Sequence, residues 1–141
     1  MRVYIAGPMT GRPLYNFSGF DNAKAEWEAR GHRVTTPADI TRRMWAERFC
    51  RTFDPQTDRC EYGDALMCDL FAADIEAVTK ADAIAVLAGW PVSKGAKIEI
   101  AVARALGKPV YDAETFALLE VEIQTTPVGP DVPREVTSVA A

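Results

Sequence analysis

The sequence has a single histidine, His32, and three cysteines, Cys50, Cys60 and Cys68, with no C-x-x-C pair among them. That set is odd in number and widely spaced, so neither a disulfide framework nor a zinc site is expected, and free thiols in a reducing compartment are the default. No apolar run approaches the ~20 residues a membrane span needs. There is no basic excess either. The net charge of −4 leaves no electrostatic footprint for nucleic acid or an anionic membrane. The N-terminus, MRVYIAGPM, goes straight into an apolar strand without the length of a signal peptide, so a cytoplasmic protein is expected. No internal repeat is visible. What remains is a 141-residue chain of 48% hydrophobic content, enough for one domain with a proper core.

Its centre is the stretch from Ala81 to Val110. Ala83 to Leu87 is a continuous apolar run of the kind a strand buried on both faces shows. A loop from Ala88 to Gly95 follows, and then a helical pattern to Leu106, stopped by Gly107 and Pro109. At ~100° per residue, Lys97 and Arg104 share the solvent direction, and Glu99 points about 160° away from them, among Val102, Ala103 and Leu106. An ionised carboxylate in apolar surroundings is costly unless it is paired or its pKa is raised. Glu99 is therefore either a capping or salt-bridged residue or a working carboxylate.

The rest of the chain supplies units of the same kind. Residues 2–6 form a short strand, followed by the loop GPMTGRP, whose Gly7, Thr10 and Arg12 stand where ligands bind α/β sheets. Glycines there let backbone amides approach an anion, and Arg12 adds charge-assisted bonds; the bland alternative is a simple turn. A helix is expected from Phe17 to Arg30, capped by Asn16 or Ser18 and closed by Gly31, and then a strand from His32 to Thr35. Residues 39–63 have no clear period, although Ile40 to Phe49 fits a helix, and the segment suits a lid or an oligomer contact. From Asp64 to Ala81 the helical signal is strong. Asp74 breaks it by sitting inside the apolar stripe of Leu66, Leu70, Val78 and Ala81, a second misplaced carboxylate whose alternative is bonding to backbone amides. Asp82 reads as a turn residue. Val110 and Tyr111 make a last strand, Asp112 caps a final helix from Ala113 to Gln124, and residues 125–141 form a flexible tail beyond the domain at 1–124. Strands alternating with amphipathic helices predict a three-layer, doubly wound α/β domain, flavodoxin- or Rossmann-like, with a parallel sheet of four to five strands.

Three motifs in order, VYIAGPMTGRP, Asp74 followed eight residues later by Asp82, and SKGAKIEIAVA at Ser93 to Ala103, resemble the nucleoside 2-deoxyribosyltransferase-like superfamily, closest to a phage-type branch. The likeness covers roughly residues 1–37 and 64–111. It implies that Glu99 is a nucleophile toward the anomeric carbon of a sugar. Asp74 then protonates or holds the departing base, and Tyr4 orients the glutamate. Relatives that hydrolyse deoxynucleoside 5′-monophosphates bind phosphate with a serine six residues before the glutamate, where Ser93 stands; Gly7, Arg12 and Gly95 would complete that site. Trp90 either stacks on a base or covers the core. The resemblance further implies a nucleoside or nucleotide substrate, no cofactor or metal, a homodimer or larger homo-oligomer, and a phage protein acting in a host cytoplasm. The favoured expectation is N-glycosidic bond cleavage by hydrolysis or base exchange. A nucleotide-binding module without turnover, and an interaction protein with purely structural carboxylates, stand beside it.

Overall fold

A computed structural model describes residues 1–48 and 63–119, with side chains described for 1–45 and 67–119. Four short parallel strands form the sheet: β1 (Arg2–Ala6), β2 (Arg33–Thr35), β3 (Ala83–Val86) and β4 (Val110–Asp112). Their spatial order is β2-β1-β3-β4, so the chain reverses its direction of growth between β1 and β3. Val3 stands opposite Ala83 and Ala6 opposite Val86, which sets the loops leaving β1 and β3 side by side. That junction is the switch point where open α/β sheets bind ligands.

Four α-helices, α1 (Phe17–Ala29), α2 (Pro37–Arg48), α3 (Gly63–Lys80) and α4 (Lys94–Ala105), and two short 3-10 turns, Pro13–Asn16 and Trp90–Val92, complete the described elements. The two-residue alternation of the strands sorts the core into two halves. Val3, Ile5, Ala85 and Leu87 pack with Phe20, Ala23 and Trp27 of α1. Tyr4, Ala6, Ile84 and Val86 pack on the other face with Leu70 and Val78 of α3 and Ala96, Ile100 and Ala103 of α4. The expected doubly wound α/β architecture is thus what forms, with four strands. Helix α2 begins on a built cap: the buried Thr36 accepts the Asp39 N–H at 3.1 Å, with Pro37 at the first helical position. The end of α3 is capped from outside, where Lys108 Nζ donates to the carbonyls of Val78, Thr79 and Ala81 at 2.8, 2.5 and 2.6 Å. Among the described residues no helix is long and apolar enough to cross a membrane.

Three expectations need correction. Residues 113–119 form turns and an isolated bridge, not the start of a helix. Asp112 Oδ1 accepts the N–H groups of Glu114 and Thr115, a local turn that competes with helix, and Phe116 takes a left-handed φ of 62°. Asn16 holds the N-cap position of α1 but makes no side-chain cap bond there. Its backbone is left-handed, and its side-chain N–H₂ donates to the Pro8 carbonyl at 3.1 Å. Leu106 is exposed, because it lies past the last helical turn. Residues 120–124 of the expected final helix, the tail, Cys50 and Cys60 lie outside the described residues.

Candidate active site

At the switch point the loops of β1 and β3 meet helices α2, α3 and α4 around a cavity of about 490 Å³, within the range of small-molecule sites. The β1 loop contributes Gly7, Thr10 and Arg12, α3 contributes Asp74, and α4 contributes Ser93, Gly95 and Glu99. Gly7 is required by close approach. A Cβ there would lie 2.8 Å from Cβ of Leu87, where the β1 and β3 loops leave the sheet side by side. Gly95 is not crowded in this way, since its nearest neighbour would be a Phe71 ring atom at 3.9 Å.

Glu99 is buried on the inner side of α4 and faces the cavity. Beneath it Tyr4, wholly buried on β1, donates its hydroxyl to Glu99 Oε1 at 3.1 Å. Burial, then the charges of Glu99 and Asp74, raise the Tyr4 phenol well above its usual value, so it stays a donor. Burial pushes Glu99 up to about 8, the Asp74 charge adds to this, and the Tyr4 bond works against it. Burial also raises Asp74 to about 7. Its Oδ1 is shielded from solvent and has no hydrogen-bond partner among the described residues. The two carboxyl groups repel each other's charge, so they titrate as a pair and near neutral pH divide protons between them. Such a pair can offer one ionised oxygen and one acidic proton to the same bound molecule. The Tyr4 bond favours the ionised form of Glu99 without offsetting burial, so in the ligand-free chain the proton rests more on Glu99 than on Asp74.

Ser93 is the N-cap of α4, its Oγ accepting the Ala96 N–H at 3.2 Å. Its own O–H remains a donor, at a helix end whose unpaired N–H groups and dipole attract anions. Trp90 does not line the cavity; it packs against the α3/α4 half of the core. The structure therefore brings together eight of the nine residues singled out from the sequence, with Tyr4 acting from below the cavity floor. Sequence reasoning missed the facing wall: Tyr15, Thr41 and Trp45, together with Met67 and Phe71 of α3 and Lys94 of α4. Thr41 and Trp45 are spaced i, i+4, one face of a helix, which was the available signal. Among the described residues no three metal-ligating side chains cluster.

Residues 1–112 match a family model described as domain of unknown function (DUF4406). The chain belongs to that family. The matched span contains all four strands and every cavity residue named above. No curated protein matches the chain. Among solved structures, a 2-deoxyribosyltransferase from the psychrotolerant bacterium Bacillus psychrosaccharolyticus is similar, at 20% identity over 79% of this chain and 70% of that one, with a TM-score of 0.49.

Proposed function

We propose that this member of the DUF4406 family cleaves the N-glycosidic bond of a (deoxy)nucleoside 5′-monophosphate, by hydrolysis or base exchange. The observation that supports it most is the pair of carboxyl groups, buried Glu99 and half-buried Asp74, facing one cavity from two helices, with Tyr4 bonded to Glu99. In this reading ionised Glu99 attacks the anomeric carbon and forms a glycosyl ester as the C–N bond breaks. The proton of Asp74 goes to the departing base. Water, or a second base, then attacks the same carbon, its proton passes to the Asp74 carboxylate, and Glu99 leaves as a carboxylate, giving the free sugar phosphate or a new nucleotide. The phosphate lies at the Ser93 end, against the α4 N-terminus, with Arg12 and Lys94 supplying positive charge. The motif resemblance points to the same chemistry.

One observation favours a second reading. Glu99, pushed up to about 8, holds its proton in much of the ligand-free chain at neutral pH, which suits a nucleotide-binding module better than a ready nucleophile. Incubation with a panel of nucleotides separates the two. Release of free base, and a sugar adduct on Glu99 detected by mass spectrometry, is the expected result. Stoichiometric binding with no base released would leave the binding module standing and remove the enzyme.

A further inference from the structure

Arg12 does not hang free at the cavity mouth. Its guanidinium lies against the backbone of Gly89 in the β3 loop, so closely that a Cβ at position 89 would stand 2.6 Å from Nη2 and 3.8 Å from Cζ. The same point is 3.4 Å from Cγ of Pro8, so the β1 loop walls the notch. Gly89 also has φ +84°, the left-handed region. The left-handed backbone favours glycine there, and a Cβ would have to push the Arg12 head out of the notch.

The root of Arg12 is fixed as well. Its N–H donates to the Met9 carbonyl at 3.1 Å, and its carbonyl accepts the Tyr15 N–H at 3.1 Å. The residues just beyond, Leu14, Tyr15 and Asn16, form a left-handed run with φ of 47°, 50° and 58°. Asn16 ties that run back to Pro8, the residue that walls the notch. Among the described residues no carboxylate pairs with Arg12, so the head that this scaffold holds keeps its charge for something else.

We propose that Gly89 is a positioning residue whose absent side chain seats the Arg12 guanidinium as the anion-binding arm of the cavity. This rests on the proposed function, in which the cavity takes a phosphorylated substrate. A guanidinium whose Nη2 end is lodged in a notch holds its other N–H donors in a fixed plane, and little rotamer freedom is lost when an anion arrives. Without the notch the same charge sweeps through solvent.

The probe is inorganic phosphate, titrated calorimetrically into the full chain. Arg12→Ala should weaken binding by about 10-fold or more, the scale of a charge-assisted contact. Gly89→Ala should give a comparable loss, and the double variant should lose nothing further, because both act through one interaction. Gly107→Ala controls for backbone strain. Gly107 has φ +70° with nothing within 4 Å of an added Cβ, so phosphate affinity should be unchanged. Arg12→Lys needs no change at the glycine and serves if Gly89→Ala fails to fold. It keeps the charge but not the flat head, and should bind nearly as weakly as Arg12→Ala. Wild-type affinity in Gly89→Ala or Arg12→Lys, with Arg12→Ala weak, overturns the seat and leaves the phosphate site standing. Wild-type affinity in Arg12→Ala removes Arg12 from the phosphate site and overturns the seat with it.

Discussion

The two faces of the sheet are made by alternate residues of the same strands, yet they are built on opposite terms. On the α1 face, Val3, Ile5, Ala85 and Leu87 meet Phe20 and Trp27 in an apolar half-core. The indole N–H of Trp27 goes to the Ala113 carbonyl at 2.9 Å, so its burial leaves that donor satisfied. On the α3/α4 face, residues one position along bring Tyr4 to Glu99 and place Asp74 nearby with a shielded oxygen unpartnered among the described residues. One face is spent on stability. The other gives some of it up to hold carboxyl groups where water would otherwise solvate them.

Substitutions on each face should therefore fail in opposite ways. Glu99→Ala should lose on the order of 10³-fold or more in turnover, as removal of a nucleophile does, and keep a folded chain that is as stable or more so. Retention of a tenth of the wild-type rate would remove Glu99 as nucleophile. Trp27→Ala is the mirror case. It should cost about 3–5 kcal/mol in urea unfolding while the fraction that stays folded turns over normally.

Asp74→Asn keeps the shape of the side chain and removes its proton. A loss of about 10²-fold is expected, smallest for bases that leave easily; equal losses for all bases would indicate positioning instead. The last effect is a pH dependence of stability. In the fold Glu99 and Asp74 hold protons that the unfolded chain has already lost, because burial raises them to about 8 and about 7. The unfolded chain then binds fewer protons at these two sites, so their contribution to stability is fully present only below the ordinary carboxyl range. It declines as pH rises through 5 to 8. Glu99→Gln should flatten the decline by roughly 4 kcal/mol at pH 8, with no difference from wild type near pH 4. Parallel curves for the two proteins across that range would mean that Glu99 is not held protonated by the fold.

Both carboxylates were legible in the sequence for the same reason: each breaks a helical pattern, and a charge on an apolar stripe stands out on a wheel. The strands β1 and β3 and the helices α1, α3 and α4 were legible from period and stop signals. The facing wall was not. Tyr15 reaches the cavity because three successive non-glycine residues adopt left-handed backbone, at about 1–2 kcal/mol each, and nothing in Leu14-Tyr15-Asn16 announces that. Helix α2 mixes basic and apolar residues. Arg42 covers the Phe17 ring at 4.7 Å and pairs with Asp21 at 2.7 Å, so its charge blurs a face that is partly inward. The expected helix after β4 failed because Asp112, a good N-cap by type, closes a tight turn with its own neighbours instead.

The order of the strands also bears on how the chain is made. β1 emerges first but sits inside the sheet, between β2 and β3. Its partner on one side begins at Ala83, about 80 residues later, or several seconds at ~5–20 residues per second of synthesis. Until then the apolar strand Arg2–Ala6 has an unpaired edge, a template for pairing with other chains. Tyr4 and Glu99, 95 positions apart, cannot meet before the whole segment between them has been made. A chain cut short before β3 should therefore aggregate rather than survive as a partly active piece.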